Sequence, residues 1–304
     1  MLSMSKKAFC VIYLGLIGCG GDPAADAPDL GVSDLAQRAG APLFEGMGTF
    51  HMPVTTADPD AQRYFDQGMV LAFGFNHAES IRSFRAAQTL DPDCAMCFWG
   101  EALATGPNIN VTSNGKAIMS ADERVGARAA IDKALGLLEG LTEKERDWIL
   151  ALDQRYDGDP ESPREPLDRA WADAVGAMAK QYPDDTTVAS IYAEALMNTM
   201  PWDYWGPSGE AKLDTQAVIA SLERVMVADP DHPLALHLYI HALEASSNAQ
   251  KAEAAADQLS DLVPASGHLV HMPSHIYFRV GRYQDSALAN IRAAEVDEAY
   301  IAQC

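Results

Sequence analysis

The chain of 304 residues is long enough for two ordinary domains or one extended repeat array, and 48% of it is hydrophobic, so a sizeable core is available. Acidic residues outnumber basic ones 43 to 22, a formal net charge of −21. That balance argues against an electrostatic role on nucleic acid or anionic lipid and suits cationic partners, metal ions included. Alanine is abundant and β-branched runs are scarce, which leans towards helix.

At the N-terminus Lys6 and Lys7 precede the apolar run "AFCVIYLGLIG". It is too short to span a bilayer, and residues 1–18 read as an export signal. The run ends at "LIGCG", which resembles the lipobox of bacterial lipoproteins. The resemblance implies cleavage before Cys19 and lipidation of its thiol. It also implies an exported protein of the cell envelope, on the outer membrane or periplasmic face in a Gram-negative source, touching the membrane only through its anchor. An ordinary secretory peptide with a chance cysteine is the plainer alternative. Residues 19–45, rich in Ala, Asp, Gly and Pro, read as a flexible tether, and 46–304 as the folded domain. His51, in "TFHMPV", takes no assignment.

The stretch "YFDQGMVLAFGFNHAESIRSFRAAQTLDP" carries a punctuated pattern. Gly68 allows two helices to approach closely. Phe84 and Ala87 lie one turn apart and pack on a neighbouring helix. Pro92 ends one unit and can start the next. His77 falls beside a helix junction and reads as a packing or capping residue. The same punctuation returns at Pro183, Pro230 and Pro264, the last two 34 residues apart, and "VGRYQDSALANIRAA" repeats the second half of the unit. Together with Leu71, these positions resemble the tetratricopeptide repeat. The resemblance implies an all-α solenoid of five or six antiparallel helix hairpins from about Ala61 onward, with one concave groove. "TEKE" at 142–145 is a capping box, and "TGPNINVTSNGKAIMS" and "MPWDYWGPSGEAKLD" read as insertions.

Cys94 and Cys97 have three readings open: a disulfide or buried thiols in an oxidising compartment, metal ligands, or redox catalysis. "CAMCF" lacks the histidine of c-type haem attachment, and no strand–helix alternation surrounds it. The segments "FNHAESIRSFRAA", "CAMCFWGEALATGPNIN", "PWDYW", "DHPLALHLYIHALEAS" and "GHLVHMPSHIYFRVGRYQD" together resemble a bacterial group of exported tetratricopeptide proteins without an established activity. No polar capping helix is visible after Ala294, so the chain is expected to be a piece of a longer array.

Six of the eight histidines lie between His232 and His275. In the groove positions that the repeat resemblance implies, counting from Pro264 places His237 fifth, His241 ninth and Glu244 twelfth in one helix. The next helix carries His268 second, His271 fifth and His275 ninth, and Glu194 is ninth in the preceding unit. Glu194, His241 and His275 are therefore expected abreast, with His237 and His271 one turn away. Histidines four apart share a helix face and can reach one ion. The expected metal ligands are His237, His241, His271, His275 and Glu194, a set suited to zinc, copper, nickel or iron rather than calcium or magnesium. Glu244, His268, Glu101, Asn108, Asn110, Trp202, Tyr204 and Trp205 are further groove candidates; the aromatics can wall a pocket or seal an insertion. His232, in "DPDHP", reads as structural. Pro273 either kinks a helix between His271 and His275 or begins one.

Taken together, the sequence points to an exported, lipid-anchored repeat protein whose groove binds a transition metal and a small-molecule or peptide ligand, as an enzyme or a carrier. The rival is a cell-envelope interaction scaffold with no metal, its histidines serving as polar contacts or core. No G-x-S-x-G, Walker loop, G-x-G-x-x-G or H-E-x-x-H is present, so protease-type zinc chemistry lacks its general base.

Overall fold

The computed structural model describes residues 34–113 and 115–302; the export signal, Cys19, the first part of the tether and Cys304 lie outside them. The described residues are all-α apart from one short hairpin and an isolated bridge between Trp205 and Ala211. Helix α1 (Asp34–Ala39) already falls inside the expected tether. The segment after it lies along α2 (Pro59–Phe73). Tyr64 donates its hydroxyl to the Ala41 carbonyl at 2.7 Å, and Gln67 Oε1 accepts from the Phe44 N–H at 2.6 Å. Ordered chain thus begins before position 46, because polar side chains of α2 satisfy the backbone of a segment whose composition alone looks like linker.

The helices that follow start where local chemistry starts them. Asn76 caps α3 (His77–Leu90), and Cys94 caps α4 (Ala95–Thr105). Capping boxes open α5 (Ala121–Leu135) and α6 (Glu143–Asp153), the second through Thr142 and Glu145 as expected. After α7 (Arg164–Gln181), Asp185 caps α8 (Thr186–Asn198). Then come α9 (Thr215–Ala228) and α10 (Pro233–Glu244), the latter entered through His232 and a proline. A short 3-10 turn leads into α11 (Glu253–Leu259). The chain ends in α12 (Gly267–His271), α13 (Pro273–Arg279) and α14 (Tyr283–Ile301). Pro92, Pro183, Pro230 and Pro264 all lie in the connections between helices. The first insertion forms a hairpin of β1 (Thr112–Ser113) and β2 (Lys116–Ala117). No helix of the described residues is long and apolar enough to cross a membrane.

Each helix from α2 to α10 packs on its successor, α11 packs on α13, and α12 and α13 together meet α14. Phe84 shows why the glycines matter. A Cβ on Gly68 would come within 2.8 Å of its ring, and one on Gly100 within 2.3 Å, so the phenyl fills space that only two missing side chains leave. Further along, Trp99, Trp148 and Trp171 form a buried row, with ring centroids 5.2 and 6.4 Å apart. Cys94 and Cys97, both buried, are joined by a disulfide at the start of α4, which answers their three-way reading.

The array does not remain open. Helix α10 packs on α2. Tyr300 donates to Glu79 Oε2 at 2.8 Å, its ring lies 5.5 Å from Phe44, and the Ala265 N–H donates to the Gly46 carbonyl at 3.1 Å. Instead of an open concave groove, the segment after α1 and the turn between α2 and α3 face α12 and α14 across a cleft of about 1090 Å³.

Candidate metal centre

Helix α10 is the backbone of the site. His232 accepts the Ala235 N–H on Nδ1, and Pro233 needs no donor in the first turn, so the helix starts in register with no unsatisfied proline position. One turn and two turns later His237 and His241 emerge on one face, both fully buried, ring centroids 4.8 Å apart. The facing element is α12–α13. Met272 between them keeps helical angles (φ −52°, ψ −38°), and Pro273 interrupts the hydrogen-bond ladder without reversing the chain. Both expectations for Pro273 hold in part: it begins α13, and α12 continues into it as a broken helix.

This break alters the pairing. Register alone sets His271 beside His237. In the structure His268 takes that place, its Nε2 3.2 Å from His237 Nε2. His241 and His275 do lie abreast, ring centroids 5.6 Å apart. His271 instead meets His275, Nε2 to Nε2, at 2.8 Å. The ligand atoms of His237, His241 and His268 lie within 4.8 Å of one another, as do those of His241, Glu244 and His275. His268, a secondary candidate in the sequence, is thus central.

The other ring nitrogens fix the tautomers. His237 Nδ1 meets the Phe73 carbonyl at 2.6 Å, which can only accept, so Nδ1 carries the proton and Nε2 is bare. Glu244 spans two rings: Oε1 accepts from His241 Nδ1 at 2.7 Å and Oε2 from His275 Nδ1 at 2.6 Å. Asn290 donates its Nδ2 to the Ser286 carbonyl, which leaves Oδ1 to accept from His271 Nδ1 at 2.7 Å. In four of the five imidazoles Nδ1–H is therefore spoken for and Nε2 offers a lone pair inward. Of these, His241 Nε2 is buried with no hydrogen-bond partner. Histidine ligands of metals are held this way, the second ring nitrogen donating to a carbonyl or carboxylate. Both oxygens of Glu244 already accept a ring N–H, the arrangement that suits an orienting carboxylate.

Electrostatics keep four of the rings neutral. Burial, then the neighbouring His241 and His268, hold His237 well below its ordinary value. Burial lowers His241 against the opposing pull of Glu244, and burial with the surrounding rings brings His268 down to about 3. Burial also lowers His271, although Asn290 opposes it. Burial would raise Glu244, but the hydrogen bonds from His241 and His275 outweigh it and bring the carboxyl down to about 2. These four rings offer neutral nitrogens beside a fixed carboxylate, the protonation state a metal ion needs.

Two aromatic walls close the site, both on left-handed backbone. Phe75 (φ 57°) lies 4.6 Å from the His237 ring and 5.3 Å from His268. Trp202 (φ 63°) meets His241 edge-on at 5.1 Å. Such backbone costs about 1–3 kcal/mol per residue and persists where the surroundings enforce it. Trp205 pins the Trp202 loop by donating Nε1 to the Ala242 carbonyl at 2.7 Å, and Tyr204 is buried beneath.

The remaining candidates lie elsewhere. Glu194 joins neither group of ligand atoms. It is half-buried on α8; burial raises its carboxyl to about 7, and the charge that opposes this is Arg155. Glu101 accepts from Arg85 at 2.8 Å and Gln88 at 2.7 Å. Asn108 shapes its own loop, accepting the Asn110 N–H at 2.7 Å while its amide donates to His77 Nε2, also at 2.7 Å. His77 is held on its other nitrogen by the Ala104 carbonyl, so it is a structural residue, as the sequence implies. Asn108 and Asn110 both border the larger cleft, which reaches His268 and His271. Sequence reasoning missed Phe75, whose position depends on a backbone angle, and Asn290, which faces the site from α14. No family model matches this chain, and no curated protein matches it.

Proposed function

We propose that this chain is an exported, lipid-anchored helical protein of the tetratricopeptide-repeat type that binds a transition metal ion through His237, His241 and His268. The succession of helix pairs with proline at their junctions and glycine at their close approaches supports the repeat assignment. The lipobox-like "LIGCG" supports the anchor. One observation carries the metal: His241 Nε2 is buried without a partner beside the His237 and His268 nitrogens, while Glu244 and the Phe73 carbonyl hold the protons on the far side of two rings. A bare nitrogen buried among others costs about 1–3 kcal/mol, and an ion at their focus removes that cost.

Three imidazoles leave a fourth position free, the arrangement of catalytic rather than structural zinc. When bound, such an ion polarises a carbonyl or activates water. The chain's own part is to orient the rings, exclude bulk water through Phe75 and Trp202, and admit a small molecule or peptide from the larger cleft. Convergence of the rings favours this reading over a metal-free scaffold, which needs no such focus. Elemental analysis of tag-free full-length protein tests it. Stoichiometric metal is expected, and loss of it in the double variant His237→Ala, His241→Ala. Absence of metal from the wild type after reconstitution, or unchanged content in the double variant, refutes the centre.

A further inference from the structure

We propose that the histidine cluster takes two metal ions, the second held by His271 and His275 beside the first at His237, His241 and His268. The inference rests on the metal reading of the first centre and adds a distinct ion to it.

Proton placement carries it. Asn290 Oδ1 fixes the proton of His271 on Nδ1, because the same amide's nitrogen already donates to the Ser286 carbonyl. Glu244 Oε2 fixes the proton of His275 on Nδ1. Both Nε2 atoms are then bare, yet they stand 2.8 Å apart, a hydrogen-bond distance with no hydrogen to fill it. Two lone pairs held that close repel each other, and a metal ion at their focus relieves the repulsion. The supports come from separate elements, α14 for Asn290 and α10 for Glu244, so the approach is built by the fold and not by local helix geometry.

A single ion does not serve both sets. Nitrogen ligands about 2.1 Å from one ion lie at most about 4.2 Å from each other. Neither His271 nor His275 has a ligand atom within 4.8 Å of the whole His237–His241–His268 triad. His275 nevertheless shares a group of ligand atoms with His241 and meets His271, so the two positions are neighbours. Their geometries also differ. The 3.2 Å separation of His237 and His268 nitrogens subtends about 100° at such an ion, close to tetrahedral. The 2.8 Å separation at His271 and His275 subtends about 85°, a cis pair of an octahedral or square-planar ion. A second cleft of about 520 Å³, walled by Trp202, Ser274 and Arg279, opens on His271 and His275, so water or an oxygen ligand can complete that sphere.

The test is reconstitution of the full-length, tag-free chain with Co(II) alone, reading bound metal per chain and the X-ray absorption fine structure of the loaded protein. Two ions per chain are expected, with a metal–metal distance of about 3.5–4 Å. In the double variant His271→Ala, His275→Ala, one ion should remain, its affinity within threefold of the tighter wild-type site. One ion in the wild type, indifferent to that variant, overturns the second ion and leaves the first centre standing. No ion overturns both. Should the variant fail to fold, the wild-type stoichiometry and the metal–metal shell decide alone: two ions with that shell support the proposal, and a single ion or no shell sinks it.

Discussion

Replacing Glu244 with glutamine separates an orienting carboxylate from a ligand. The side chain keeps its size and loses one acceptor. As glutamate it takes the Nδ1 protons of His241 and His275 at 2.7 and 2.6 Å, and those bonds bring its carboxyl down to about 2. As glutamine it accepts one proton and points an N–H at the other ring. That imidazole must move its own proton to Nε2, which then cannot bind metal. A hydrogen bond to a charged group contributes about 1.5–3 kcal/mol, and loss of an outer-shell partner weakens metal binding about 10- to 100-fold. The two scales agree, since each tenfold is about 1.4 kcal/mol. Competition against a chromogenic chelator at pH 7.5 reads the affinity, with helical circular dichroism as the control for folding. A loss within twofold would show that Glu244 orients nothing. A loss beyond about 1000-fold would show direct ligation and refute the tautomer assignment.

The other predictions concern the scaffold. Burial brings His232 down to about 4, below its ordinary 6.5, so the unfolded chain takes the proton first and stability is lost as pH falls from 6.5 towards 4. The span amounts to about 3 kcal/mol. His232→Asn keeps a capping acceptor and removes the titration, so the metal-free variant should show a shallower fall than wild type in urea denaturation at pH 7.5, 5.5 and 4.5; parallel curves would contradict the assignment. Asp168 is the acceptor for two buried guanidinium groups, Arg155 Nε at 3.0 Å and Arg164 Nη2 at 2.6 Å. Asp168→Ala leaves both charges without it and should cost about 3–5 kcal/mol by denaturant titration; a cost under 1 kcal/mol would mean the arginines are satisfied by carbonyls alone.

How much of this was written in the sequence differs by residue. Gly68, Phe84 and the junction prolines announced the helix pairs because a close approach and a chain break each demand a particular residue type. The phase of those pairs brought His241 beside His275. Phase failed for His268 and His271 because Pro273 ends one hydrogen-bond ladder and starts another, and the turn before it presents a different ring. Glu194 had the right position in the expected repeat but lies outside both ligand groups, in the field of Arg155, an arginine whose burial no local pattern revealed. Glu244 was seen as a groove residue. Its role between two rings needed coordinates, since it depends on both oxygens being claimed. Phe75 and Asn290 were invisible for the same reason: one depends on a left-handed backbone, the other on a contact across the closed array.

The bond between His237 and the Phe73 carbonyl joins positions 164 apart in the chain. Its donor and acceptor can meet only after α10 has been made and has packed on α2, so during synthesis the first half of the molecule can offer nothing but a lone carbonyl. At the proposed centre, ion capture would therefore wait for the final helices. A chain still being made would not scavenge the wrong metal there, and the compartment in which assembly finishes would set the choice of ion.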